Sequence, residues 1–344
     1  MEQIVNETYD YDDVLIYPLP SKVSSRDDVD ISVKLSDNLT LKFPLIASPM
    51  VGVVDGAFAK KLSKLGGMAI LHRFYKTHDN LLEDIKENLS TGDTFGISIN
   101  IEDKTAQYVE ILTRFEPAML LIDTANGYTN KLLERCESIK KLLIARGHKA
   151  LLMAGNVATL EGCEALYNAG CDIIRVGIGG GSPCSTRNVT GIGVPNISAL
   201  MEADATDRKY KICVDGGIRS SGDLVKAIVA GADFGMSGKL FAECYEAPCK
   251  DALYGMVSRT HMANTKAEVK SVEGYDIPIE KKHSLEQFVK EFGYGIKSAG
   301  TYLNARSLDE IYVNGKFIKV SNHAIMKIST NMQQMVTSTY LKSH

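Results

Sequence analysis

Eight short apolar runs, separated by amphipathic stretches, constrain this chain more than any other feature of its sequence. They occupy residues 43–48 (FPLIAS), 67–71 (GMAIL), 95–100 (FGISIN), 118–123 (AMLLID), 150–155 (ALLMAG), 172–177 (DIIRVG), 212–216 (ICVDG) and 234–238 (FGMSG). Runs this short and rich in branched side chains suit strands buried on both faces, as in a parallel sheet. They start about 20 to 40 residues apart, the spacing of repeated βα units. The stretches between them, such as 130–145 (NKLLERCESIKKLLIA) and 160–169 (LEGCEALYNA), read as helices. A doubly wound open sheet is the competing architecture, but a count of eight favours the α/β fold of a (β/α)8 TIM barrel.

The ends of the runs favour the barrel further. Nearly all close on small or polar groups: Ser48, His72-Arg73, Asn100, Asp123, Asn156, Gly177, Asp215 and Ser237-Gly238. Singly, each reads as a turn or a helix cap. Together, at the strand ends where barrels of this kind build their sites, they read as one site.

Composition narrows the class. Of 344 residues, 44% are hydrophobic and 24% charged, which excludes disorder and coiled coil as the main class. The balance of 39 basic against 42 acidic residues gives a net charge of −3 and no reason to expect nucleic acid or an anionic membrane as partner. No apolar run approaches the roughly 20 residues of a membrane span. The opening MEQIVNETYDYDDV has neither the basic nor the apolar region of a secretion signal, and a cytoplasmic location is expected. The seven cysteines contain no CxxC and should stay reduced. The chain reads as a single domain over 1–344, with a polar, aperiodic mobile flap at 257–274 and a closing strand at 317–320.

Residues 177–196, GIGGGSPCSTRNVTGIGVPN, carry the most specific chemistry. Three consecutive glycines, Gly179 to Gly181, let backbone groups approach an ion or phosphate. Cys184 follows, with Thr186 and Arg187 beside it. A thiol on such a loop is either a nucleophile with a lowered pKa or an inert loop cysteine. After the seventh run, Asp215 is placed to accept from a ribose diol, and the amides of Gly216-Gly217 can meet a phosphate. After the eighth comes Ser237-Gly238-Lys239. Loops at these two positions recurrently bind phosphate in such barrels, so a mononucleotide or sugar phosphate is favoured.

These segments, with FPLIASPM, VDGGIRSSGDLVKAIVAGAD and the opening YDYDDVLIYP, resemble the IMP dehydrogenase/GMP reductase family from about residue 9 to 320. The resemblance implies a (β/α)8 barrel, commonly a homotetramer, that binds a purine mononucleotide and a nicotinamide cofactor. It makes Cys184 the nucleophile at C2 of the purine, with Thr186 assisting proton transfer. Ser48, Ser182, Gly217 and Gly238 fall on phosphate-contacting positions, Asp215 on the ribose, and Gly255, Met256 and Val257 on the base. Asp123 and Asn156 fall near the nicotinamide ribose. The carbonyls of Gly179, Gly181 and Cys184 match a monovalent-cation loop, for which K+ is the expected ion.

Within the family, a dehydrogenase activates water through an Arg-Tyr pair on a long flap. Here the corresponding segment is short, and its only arginine, Arg259, stands too early to match. Glu273 matches the glutamate that partners the threonine in GMP reductases; its alternative is a solvated carboxylate. The CBS regulatory domains that many dehydrogenases insert after the second strand are missing. GMP reductase using NADPH is therefore expected, with IMP dehydrogenase using NAD as the alternative. The stretch 188–196 (NVTGIGVPN) reads more like a dehydrogenase, and Lys239 stands where a small residue is usual. A flavin-dependent barrel oxidoreductase and an inactive nucleotide-binding regulator complete the alternatives.

Overall fold

Every one of the eight apolar runs forms a strand. In the computed structural model, which describes residues 7–182, 184–204, 207–255 and 274–321, these are β1 (Leu45–Ala47), β2 (Ala69–Leu71), β3 (Phe95–Ile99), β4 (Met119–Asp123), β5 (Leu151–Val157), β6 (Ile173–Val176), β7 (Lys211–Asp215) and β8 (Phe234–Ser237). They pair in parallel in sequence order, and β8 pairs back onto β1, so the sheet closes into a barrel and the open-sheet alternative falls. β1, β2, β3, β6 and β8 are buried at every position, as strands packed on both faces must be.

The helices alternate with the strands: α1 (Gly56–Lys64), α2 (His78–Asn88), α3 (Thr105–Phe115), α4 (Asn130–Ala145), α5 (Leu160–Asn168), α6 (Asn196–Ala203), α7 (Ser221–Val229) and α8 (Leu285–Tyr302). Most begin at a side chain able to accept from the first turn. Asp55 takes the amide of Phe58, Thr77 that of Asn80, Thr129 that of Leu132, Thr159 that of Gly162, Ser220 that of Asp223 and Ser284 that of Gln287. Each such cap contributes about 1 kcal/mol and fixes where the βα loop ends. The apolar faces of the helices close the outer layer. On α8, for example, Phe288 and Phe292 pack edge-on against Phe43, and each large side chain so buried contributes about 1.5–3 kcal/mol.

The chain passes straight from Leu71 at the end of β2 to His78 at the start of α2, so no CBS domain is inserted there. The strand expected at 317–320 forms as Phe317–Lys319, but it does not close the barrel, which has no free edge. It pairs antiparallel with Val14–Ile16 and clasps the two ends of the described chain together. Of the expected flap, residues 257–273 lie outside the described residues.

Candidate active site

The loops at the carboxyl ends of the strands surround a cavity of about 300 Å³. It is lined by Ser48 after β1, Asp123 and Asn156 at the ends of β4 and β5, Gly179, Gly181, Ser182, Cys184 and Thr186 after β6, Asp215 and Gly217 at β7, Gly238 after β8, and Gly255. Twelve side chains and backbone positions singled out in the sequence thus converge on one space. Met256, Val257 and Glu273, the remaining three, lie outside the described residues.

The loop between β6 and α6 positions the thiol. Its neck is closed by an antiparallel bridge between Ile178 and Val194. Arg187 donates from Nε to the Ile178 carbonyl at 3.2 Å and from Nη2 to that of Val194 at 2.9 Å, and pairs with Asp10 at 3.4 Å. These bonds make Arg187 a pin for the loop; the sequence had offered it as a partner for the thiol. Cys184 is half-buried, its amide donates to the Gly181 carbonyl at 3.0 Å, and its Sγ–H donates to Thr186 Oγ1 at 3.2 Å. Its backbone also pairs with Gly274. Since Gly255 lines the cavity, the chain on either side of 256–273 leaves and returns at the cavity's edge.

After β6 and β7 the backbone needs glycine. Gly177, at φ +137°, would drive a side chain into the Asp215 carbonyl, and Gly217, at φ +77°, lies over the Tyr11 ring. Tyr11 is 2% exposed, and burial pushes its hydroxyl far above the ordinary tyrosine value. Asn196, 1% exposed, donates from Nδ2 to the Gly216 carbonyl at 2.8 Å. The amide of Ser48 donates to the Ser237 carbonyl at 3.1 Å, which joins the β1 and β8 ends beside Gly238.

Under the opposite half lies a charge network. Arg175 on β6 bonds Asp123 at 2.5 Å through Nη2 and approaches Asp215 at 3.8 Å through Nη1. Burial opposes its charge, but the two carboxylates outweigh that and raise its pKa above the ordinary value. Asn156 donates from Nδ2 to Asp215 at 2.9 Å and to the Gly177 carbonyl at 2.5 Å. Arg73 lies 3.9 Å from Asp123, beyond hydrogen-bond distance, and its buried Nε has no hydrogen-bond partner among the described residues. Its guanidinium covers the Phe74 ring at 4.2 Å. An open donor, an aromatic face and the carboxylate of Asp123 fit a nicotinamide ribose in this half of the cavity. His72 stacks on Tyr75 at 4.5 Å and accepts from the Phe74 amide.

Sequence reading did not single out Arg175, Asn196 or Tyr11. Arg175 sits in an apolar run where period-two alternation is absent, and Tyr11 and Asn196 meet only through the fold. The one available signal was a charged residue inside a run otherwise buried on both faces. Cys136, Cys163, Cys171, Cys213 and Cys244 are buried, and burial pushes the thiols of Cys163 and Cys244 up to about 12.

A family model described as the IMP dehydrogenase / GMP reductase domain matches residues 8–330. A GMP reductase of Streptococcus agalactiae is 34% identical, over 88% of this chain and 92% of its own length. A GMP reductase of Lysinibacillus sphaericus is 32% identical over 92% and 97%, and an inosine-5′-monophosphate dehydrogenase of Borreliella burgdorferi is 28% identical over 94% and 96%. No helix among the described residues is long and apolar enough to cross a membrane. Because the match runs through all eight strands and through the loop that carries Cys184, the chain belongs to the IMP dehydrogenase/GMP reductase family.

Proposed function

We propose that this protein is a GMP reductase, converting GMP to IMP and ammonia at the expense of NADPH. The observation that carries the proposal is the single cavity in which the Cys184 thiol and its Thr186 partner face the glycine-lined ends of β7 and β8. A nucleotide whose phosphate rests by Ser48, Gly217 and Gly238, and whose ribose rests on Asp215, extends its base toward that thiol. The relatives named GMP reductase support the choice of branch.

In this reading Cys184 bonds to C2 of guanine through sulfur, and the exocyclic amine leaves as ammonia. Thr186, relaying from Glu273, delivers the proton that the departing amine takes. Glu273 immediately precedes Gly274, whose backbone pairs with Cys184. Asp123 and Asn156 hold the cofactor ribose, with Arg73 beside them. A reduced nicotinamide bound there supplies a hydride to C2. Cys184 then departs as thiolate and is reprotonated, so that GMP, NADPH and two protons become IMP, NADP+ and ammonium. Gly255, Met256 and Val257 contact the base. A monovalent cation such as K+ at the carbonyls of Gly179, Gly181 and Cys184, a homotetrameric assembly and a cytoplasmic location belong to the same reading.

The loop sequence NVTGIGVPN and the dehydrogenase relative favour oxidation of IMP with NAD as the second reading. Absorbance of reduced nicotinamide separates the two in one experiment. GMP with NADPH is expected to lose absorbance as IMP and ammonia appear, and Cys184→Ala to abolish the change while GMP still binds. Growth of absorbance from IMP, NAD and K+ would assign the dehydrogenase instead, and turnover by Cys184→Ala would remove the covalent step.

A further inference from the structure

Among the described residues, five charged side chains line the cavity: Arg73, Asp123, Arg175, Asp215 and Lys239. Four belong to one network in which two guanidinium groups meet two carboxylates, so their charges cancel. Lys239 does not share in it. It is exposed, and among the described residues its ammonium has neither a hydrogen bond nor an ion pair. Among the described residues, Lys239, the first residue after Gly238, is therefore the one charge lining the cavity that no opposite charge compensates.

Its base is rigid. Lys239 opens the helical turn Lys239–Ala242, in which Leu240, Phe241 and Ala242 are buried. The Leu240 amide donates to Ser237 Oγ at 3.4 Å. At the far end of the turn, the Lys281 ammonium takes the carbonyls of Ala242, Cys244 and Ala247 at 2.8 to 3.0 Å. The backbone that presents Lys239 is thus held from both ends, while its side chain is free to follow a ligand. The neighbouring groups at this end of the cavity, the hydroxyls of Ser48 and Ser237 and the backbone of Gly217 and Gly238, are all neutral.

We infer that Lys239 is a specificity residue for the dianionic phosphate monoester of the nucleotide, adding a charge-assisted bond to a cradle otherwise made of neutral donors. This rests on the nucleotide reading of the site and adds what that reading lacks, a charged group selecting phosphorylated over unphosphorylated ligands. Because the ammonium is exposed, its attraction for phosphate is screened by salt, unlike the buried pairs of the floor.

Titration calorimetry with ribose 5-phosphate, GMP and guanosine tests the inference on the whole protein, on Lys239→Met and on Lys239→Arg. An exposed side chain without a partner carries little stability, so the thermal midpoints should coincide and serve as the folding control. At low salt, Lys239→Met is expected to bind ribose 5-phosphate and GMP about tenfold more weakly, while guanosine is unaffected and Lys239→Arg keeps most of the affinity. The tenfold difference should shrink as sodium chloride rises to half molar. Equal affinity of wild type and Lys239→Met for ribose 5-phosphate overturns the role of Lys239, as does an equal loss with guanosine. If ribose 5-phosphate behaves as expected but GMP binds no more tightly, Lys239 keeps its role and the purine reading falls instead.

Discussion

Removing a guanidinium from water costs several kcal/mol unless charges and hydrogen bonds replace its hydration, and Arg175 is held at 5% exposure by Asp123 and Asp215. Breaking such an arrangement is worse than never building it, because two half-buried carboxylates remain around a missing charge. Arg175→Met is expected to lower the unfolding free energy by about 3–5 kcal/mol, measured by chemical denaturation, with Arg175→Lys losing clearly less. A loss below 1 kcal/mol would mean that the carboxylates are solvated without it. At this scale the sequence was legible where a rare residue type stands on a glycine-rich loop, as at Cys184 between glycines and threonine, which does line the cavity. It was opaque where a residue acts through distant partners: Arg175 looks like one more member of a strand, and only the closed barrel brings Asp123 and Asp215 to it.

Among the elements, the strands were readable and the loops only partly so. Burial on both faces leaves an unbroken apolar run that ends where the site begins, so each strand and its polar terminus could be located from residues alone. The loop after β6 shows the limit. Its glycines announced a close approach, but not that Arg187 would pin the neck, because a carbonyl acceptor leaves no mark in the sequence. Nor did the apolar run at 317–320 reveal its partner, since Val14–Ile16 lies some three hundred residues away. Gly177 joins β6 to this loop at a φ that other residues avoid, with the Asp215 carbonyl where a methyl would go. Gly177→Ala is expected to lower the thermal midpoint by several degrees and to weaken GMP binding at least tenfold, read by scanning calorimetry and titration. Wild-type values for both would show that the loop can relax around a methyl.

Across the whole molecule, the segment before the first barrel strand reaches the site from outside. Asp10 pairs with Arg187, Asp12 with Arg219, and Lys226 donates to the Tyr11 carbonyl at 2.8 Å. The hydrogen bond from Arg219 lowers the Asp12 pKa below its ordinary 3.8. A carboxylate with a lowered folded value contributes fully above its unfolded value, and its contribution is lost as pH falls through the folded one. The segment should therefore loosen below about pH 4, and hydrogen exchange of residues 9–13 followed from pH 5 to pH 3 should show it. Asp12→Asn should flatten that acid dependence; a profile identical to wild type would release Asp12 from the role. The clasp between Val14–Ile16 and Phe317–Lys319 has a further consequence in time. Val14–Ile16, next to the residues that steady the site, is made before the barrel strands but secured after them, because its strand partner follows all eight. A nascent chain can lay down its barrel strands in order, but the segment that reaches the Cys184 loop through Asp10 is anchored by its own strand only once residues 317–319 have been made, so the bracing of the site is a late event of folding.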